Sequence, residues 1–165
     1  MLDNRLVIAA REGETKDVIL LLNDMYKDSK DNMCEGMYLA LLWSAIGDQI
    51  DTLNALIDIG ADVNFVSYRG HRILSSAVFE GNFNVVKFLL EKGADINAKD
   101  TCGKTALHYA INKKSTIDLI TLLLEKGADP KIEDESGRTA LDYAKLYSTK
   151  KEIYNTFVDV IKERV

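Results

Sequence analysis

The sequence predicts an all-α solenoid of stacked helix-turn-helix units, and three observations predict it. The tripeptide Gly-Ala-Asp occurs at 60–62, 93–95 and 127–129, so the copies are 33 and 34 residues apart. Each copy follows an apolar run: Leu56-Ile57, Leu89-Leu90 or Leu122-Leu123-Leu124. Hydrophobic residues make up 47% of 165 residues, enough for a continuous core, while proline occurs once. A fixed period in this range is the mark of a repeat architecture in which each unit packs on its neighbours.

The clearest copy shows why each element forms. Asp100-Thr101-Cys102-Gly103 has turn chemistry. Thr105 then offers a side-chain oxygen just ahead of a helix, the position of an N-cap. Leu107 and Ala110 stand three apart on one helical face, and the small Ala110 allows a close neighbour. Ile117, Ile120, Leu123 and Leu124 recur at helical spacing in a second helix. Gly127 ends that helix, as Gly60 and Gly93 do in their units, because glycine accepts the left-handed conformation of a helix stop.

Thr105-Ala106-Leu107-His108 through Ala110, followed by a second helix and Gly127-Ala128-Asp129, resembles the ankyrin repeat. That family has Thr-Pro-Leu-His in this slot; here alanine replaces proline. Thr139-Ala140-Leu141-Asp142 fills the slot again one unit later, and Arg72-Ile73-Leu74-Ser75 is a degenerate copy. The resemblance implies an ankyrin-repeat solenoid with β-hairpin-like turns between its helix pairs. It also implies that His108 hydrogen-bonds a neighbouring turn, and that Asn64 and Asn97, which follow Gly-Ala-Asp, tie turn backbone. In some members asparagines at this position are hydroxylated.

Taken in order, the units are 1–33, 34–66, 67–99, 100–133 and 134–165, forming one domain. The first has the helices of a repeat (Leu6 to Ala10, Val18 to Leu22) without a preceding turn, and a polar stretch, Asn23 to Asn32, in place of Gly-Ala-Asp. It reads as an N-terminal cap. The last, ending in Ile153 to Ile161 with polar residues between, reads as a C-terminal cap. Three helix–helix joints are irregular: Gly47-Asp48 is offset, and 112–115 and 147–150 lack the glycine turn.

Bulk properties exclude several function classes. The net charge of −5 lacks the basic excess of nucleic-acid binders. No apolar run reaches the roughly 20 residues of a membrane span, and the first residues lack the layout of a secretory signal. Cys34 and Cys102 are too far apart for a CxxC site and read as free thiols. The cytoplasm is the expected location, or a host cytoplasm if the chain is a secreted effector.

The resemblance implies binding of another protein through the turn tips and the first helices' concave face. The telling position is the one before the small residue of each first helix: Ile8, Trp43, Ser76, Tyr109 and Tyr143. Four of these five predict an apolar and aromatic stripe, the usual anchor chemistry of interfaces. Phe79 with Glu80, Asn112 with Lys113, and Leu146 with Tyr147 form a further row. Turn-tip candidates are Tyr68, Arg69 and His71, then Thr101, Cys102 and Lys104, then Glu135, Ser136 and Arg138.

No metal is expected, since His71 and Cys102 alone make a poor zinc site. No cofactor is expected either. The carboxylates form no acid–base pair, and no phosphate loop, nucleophile elbow or zinc-helix motif occurs. The expectation is a non-enzymatic, monomeric adaptor, scaffold or inhibitor. A self-associating repeat is the main alternative, with a small-ligand protein or enzyme behind it.

Overall fold

A computed structural model describes residues 4–26, 30–111, 116–146, 154–155 and 158–159. The described residues hold nine named helices: α1 (Asn4–Glu12), α2 (Thr15–Tyr26), α3 (Lys30–Ile46), α4 (Ile50–Asp58), α5 (Ile73–Glu80), α6 (Phe83–Glu91), α7 (Ala106–Tyr109), α8 (Ile117–Glu125) and α9 (Ala140–Leu146). They make four helix pairs and the first helix of a further unit. The odd-numbered helices pack in sequence, α1 on α3, α3 on α5, α5 on α7 and α7 on α9, and so line one side of the stack.

The core is a single apolar ribbon running the length of the stack. Its registers match from unit to unit: Val18, Leu53, Val86 and Ile120 occupy one position in the even helices and are wholly buried. One position earlier, Thr52, Val85 and Leu119 are buried, while Asp17 in α2 is exposed. A carboxylate suits that position in α2 because no described helix packs on the outer side of α1 and α2.

Between units the chain forms a projecting turn, here called a finger. In the three fingers the N–H of Ser67, Asp100 and Asp134 donates to the carbonyl of His71, Lys104 and Arg138. No strand forms among the described residues; the one β-bridge pairs Val66 with Arg72. The fingers stack directly, and the Glu135 N–H donates to the Cys102 carbonyl at 3.0 Å. Gly103 permits this approach: it has φ +73, and a Cβ there would lie 2.8 Å from the Glu135 nitrogen.

The second unit has no finger. Its first helix, α3, is 17 residues long and runs through the finger position, so the boundary drawn at 33/34 falls inside a helix. The offset Gly47-Asp48 joint also has a physical reason. A Cβ on residue 47 would lie 2.1 Å from the Arg11 carbonyl oxygen, which reserves that position for glycine. Asp48 then takes the left-handed conformation, φ 57, that glycine takes at Gly13 and Gly81.

Candidate partner-binding surface

The fingers are held by a hydrogen-bond pattern built on one aspartate each. Asp100 Oδ1 accepts the N–H groups of Cys102 and Lys104, both at 2.8 Å. Its Oδ2 accepts the Tyr109 hydroxyl at 2.5 Å. In the next finger Asp134 Oδ1 accepts from the Ser136 and Arg138 amides at 2.8 and 3.1 Å, and Oδ2 accepts the Tyr143 hydroxyl at 2.6 Å. Burial alone would raise the Asp134 pKa, but the donors from Ser136, Tyr143 and Arg138 outweigh it and hold the carboxyl well below the usual range. Burial, reinforced by the Asp100 carboxylate, pushes the Tyr109 hydroxyl well above its ordinary value.

The third unit replaces both members of this pair. Ser67 stands in the aspartate position and Ser76 in the tyrosine position. Ser67 Oγ accepts the His71 N–H at 3.1 Å, and Ser76 Oγ donates to the Arg72 carbonyl. Tyr38 of α3 is buried beside these two serines, and its ring lies 6.0 Å from that of Phe65. Among the described residues its hydroxyl makes no hydrogen bond of standard geometry, and burial pushes its pKa up.

His108 performs the role implied for it. Its Nδ1 accepts the Thr105 N–H at 3.1 Å, so the proton sits on Nε2, which donates to the Arg138 carbonyl of the next finger at 3.1 Å. Burial lowers its pKa, against the raising effect of that carbonyl bond. Asp142, in the same slot one unit on, keeps the local half: its Oδ2 accepts from the N–H and hydroxyl of Thr139 at 3.1 and 2.7 Å. Those Thr139 bonds pull its pKa down. Leu107 and Ala110 are fully buried, and Leu141 is half-buried.

The asparagines link successive units. Asn64 Nδ2 donates to the Gly93 carbonyl at 3.0 Å while its Oδ1 accepts the Asp95 N–H at 2.8 Å. Asn97 repeats both bonds with Gly127 and Asp129, at 3.1 and 2.8 Å. Gly60, Gly93 and Gly127 all have positive φ, as expected of helix stops.

The predicted contact residues fall on one side. Tyr68 is 75% exposed at a finger tip, beside exposed Arg69 and His71. Arg138 is exposed, and Lys104 is half-buried with its ammonium 5.0 Å from the centroid of the Tyr143 ring and 5.9 Å from that of Tyr109. Phe79 is 46% exposed and meets Tyr109 edge to face at 6.4 Å. Trp43 and Tyr109 are half-buried against the core, and Tyr143 is half-buried with its ring edge to face with His108 at 6.0 Å. Tyr147, Asn112 and Lys113 lie outside the described residues.

Between Trp43 and Tyr109 the small Ser76 leaves a notch of about 310 Å³, lined on its apolar side by Leu42, Ile46, Phe79 and Tyr109. Two features escaped the sequence reading. One is this notch, signalled only by a serine in an aromatic register. The other is Arg72, which occupies the threonine slot; its guanidinium donates to the Lys99 carbonyl at 2.8 Å and the Asn64 carbonyl at 3.0 Å. Lys99 Nζ in turn donates to the Glu133 carbonyl at 2.9 Å, extending the link to the end of the fourth unit.

Among the described residues no group of three or more His, Cys, Asp or Glu is placed to hold a metal ion. No helix there is long and apolar enough to cross a membrane.

Comparison with known proteins agrees with this geometry. The family model for ankyrin repeats (3 copies) matches residues 6–100 and 95–160. A probable E3 ubiquitin-protein ligase of rice is 33% identical over 107 residues, covering 64% of this chain and 21% of that protein. Chicken inversin is 39% identical over 109 residues, 65% of this chain and 10% of inversin. A monkeypox virus ankyrin repeat domain-containing protein is 30% identical over 91 residues, 55% of this chain and 13% of its own length. The chain thus spans about a fifth or less of the length of these relatives. The family match extends over most of the sequence, in register with the stacked helix pairs and fingers, and the chain belongs to the ankyrin-repeat family.

Proposed function

We propose that this chain is a non-enzymatic protein-binding module that holds a partner protein on the face formed by its odd-numbered helices and fingers. Ankyrin repeats generally mediate protein–protein interaction, which supports the class of function. The single observation that carries the reading is the exposed aromatic edge at Phe79 and Tyr109 beside an open notch. Large rings at a solvent edge anchor interfaces, and losing one typically costs about 2 kcal/mol or more of binding. Acting as an adaptor, scaffold or inhibitor follows from which surface of the partner is covered.

The test is a pull-down from source-cell lysate with wild type, Phe79→Asp, and Lys87→Glu on the opposite side of the stack. Circular dichroism verifies equal helicity first. A partner retained by wild type and Lys87→Glu but lost by Phe79→Asp supports the reading; a partner retained equally by all three refutes this face.

One further observation favours self-association as a second reading. Ile8 and Leu20 are 53% and 66% exposed and border a groove of about 440 Å³ on the outer side of the first unit. Light scattering on wild type and Leu20→Glu separates the two: a dimer abolished by the substitution supports pairing through this end.

A further inference from the structure

The residue after each finger glycine is basic: His71 follows Gly70, Lys104 follows Gly103 and Arg138 follows Gly137. The three glycines share one left-handed conformation, with φ of 74, 73 and 72°. Each basic residue also has its own N–H fixed by its finger's acceptor, Ser67 Oγ, Asp100 Oδ1 or Asp134 Oδ1, at 3.1, 2.8 and 3.1 Å. The backbone therefore sets all three side chains out in register, one per unit.

The charges of this row are not consumed within the chain. Among the described residues the side chains of Lys104 and Arg138 form no ion pair. The nearest carboxylates, Asp100 and Asp134, are turned into their fingers by amide and tyrosine donors. At the two tip positions before the glycine the charges cancel, with Arg69 in one finger and Glu135 in another. Only the position after the glycine holds a basic residue in all three fingers, with formal positive charge at Lys104 and Arg138. The row sets positive groups on a chain of net charge −5, so an anionic group is held there by short-range pairing with Lys104 and Arg138. Lys104 lies over two tyrosine rings, so its ammonium is partly ordered before any ligand arrives.

The spacing restricts what fits. Packed helices lie about 8–10 Å apart, and a peptide in the extended polyproline-II conformation advances about 3.1 Å per residue and returns every third side chain to the same face. One unit therefore matches about three residues. The Ser76 notch shares His71 with the row, which places a largely apolar socket, with Glu80 and Asp100 on its polar side, beside the row's first residue. A continuous polyanion is disfavoured because Glu133 and Glu135, on either side of Asp134, are exposed; a peptide can leave the intervening positions neutral.

Resting on the binding reading above, we propose that the segment held here is an extended acidic stretch of a partner protein. Its carboxylates, about three residues apart, meet His71, Lys104 and Arg138, and a neighbouring apolar side chain fills the Ser76 notch.

The test is selection of a random displayed peptide library on the full chain, on Lys104→Glu/Arg138→Glu and on Ser76→Trp. Wild type is expected to enrich Asp and Glu at three-residue intervals beside a large apolar residue. Charge reversal is expected to switch the preference to Lys and Arg, a gain that misfolding cannot produce. Filling the notch is expected to remove the apolar preference and keep the acidic one. The strongest peptide, fluorescently labelled, is expected to lose about tenfold or more in affinity from low to high salt.

Neutral or basic peptides selected by wild type overturn the proposal, as do the same acidic peptides selected by the charge-reversed variant. Equal binding of a labelled single-stranded oligonucleotide overturns the choice of a peptide. No enrichment on wild type also overturns it, whereas the Phe79→Asp pull-down judges the binding module independently.

Discussion

At His108 the two ring nitrogens do different work, one closing its own helix start and the other reaching the next finger. The first task requires the neutral ring, since a protonated Nδ1 cannot accept the Thr105 N–H. Its folded pKa lies below the ordinary 6.5, so its contribution to stability is complete above that value and is lost as pH falls through the folded pKa. The urea midpoint of wild type is expected to drop between about pH 7.5 and about pH 5.5, and His108→Asn is expected to flatten that drop. An unchanged slope in the variant would remove the assignment. Tyr109→Phe deletes the donor to Asp100 Oδ2 and is expected to cost about 1–2 kcal/mol, read from urea unfolding. Residue roles of this kind were legible where local chemistry fixes one side chain, as at Thr105 and the stop glycines, whereas the role of His108 came only from the resemblance of its slot to the ankyrin motif. The Asp–Tyr pairs were not, because Asp100 and Tyr109 are nine residues apart and the sequence shows each only as turn or ring. Tyr109 and Tyr143 were read as outward anchors, yet their hydroxyls face inward to the fingers.

Single fingers behave as rigid elements because each one's aspartate, glycine and amides lock together, and because neighbours touch. Gly103→Ala forces a side chain into a left-handed conformation against the Glu135 backbone. It is expected to destabilise by about 1–2 kcal/mol, with the loss visible as a lower thermal midpoint. Asn97→Ala removes two bonds that join consecutive units and is expected to cost about 1–2 kcal/mol. Comparable midpoints for wild type and Asn97→Ala would show that these exposed bonds merely replace water. The helix periods and the period of the fingers were readable because burial repeats in register, as at Val86 and Ile120. The extension of α3 through the second unit's finger position was not readable. Met37 stands in the place of Gly70 and Gly103, with Gly36 one residue early and inside α3, and what replaces the turn depends on packing of Tyr38 against Phe65 and the third unit's finger.

For the whole molecule, stability is carried by interfaces between neighbours and not by one central core. Amides of Leu53, Val86, Leu89 and Ile120, which are wholly buried in middle units, are expected to exchange slowest with solvent. Those of α1 and α9 are expected to exchange faster, and hydrogen-exchange mass spectrometry measures the gradient directly. Uniform protection along the chain would mean that the stack unfolds as one block. The face proposed for a partner was read from the sequence as a stripe, from five equivalent positions. Its depth was not, since the notch exists only once Ser76 is set between larger neighbours.

The helix that takes the place of the second unit's finger also gives the stack a direction. A ligand lying along it meets a smooth helical shoulder at one end and three projecting loops at the other. Its two ends are thus read by different surfaces, and a peptide with its residue order reversed would present the same side chains in the wrong sequence. Recognition here carries an arrow.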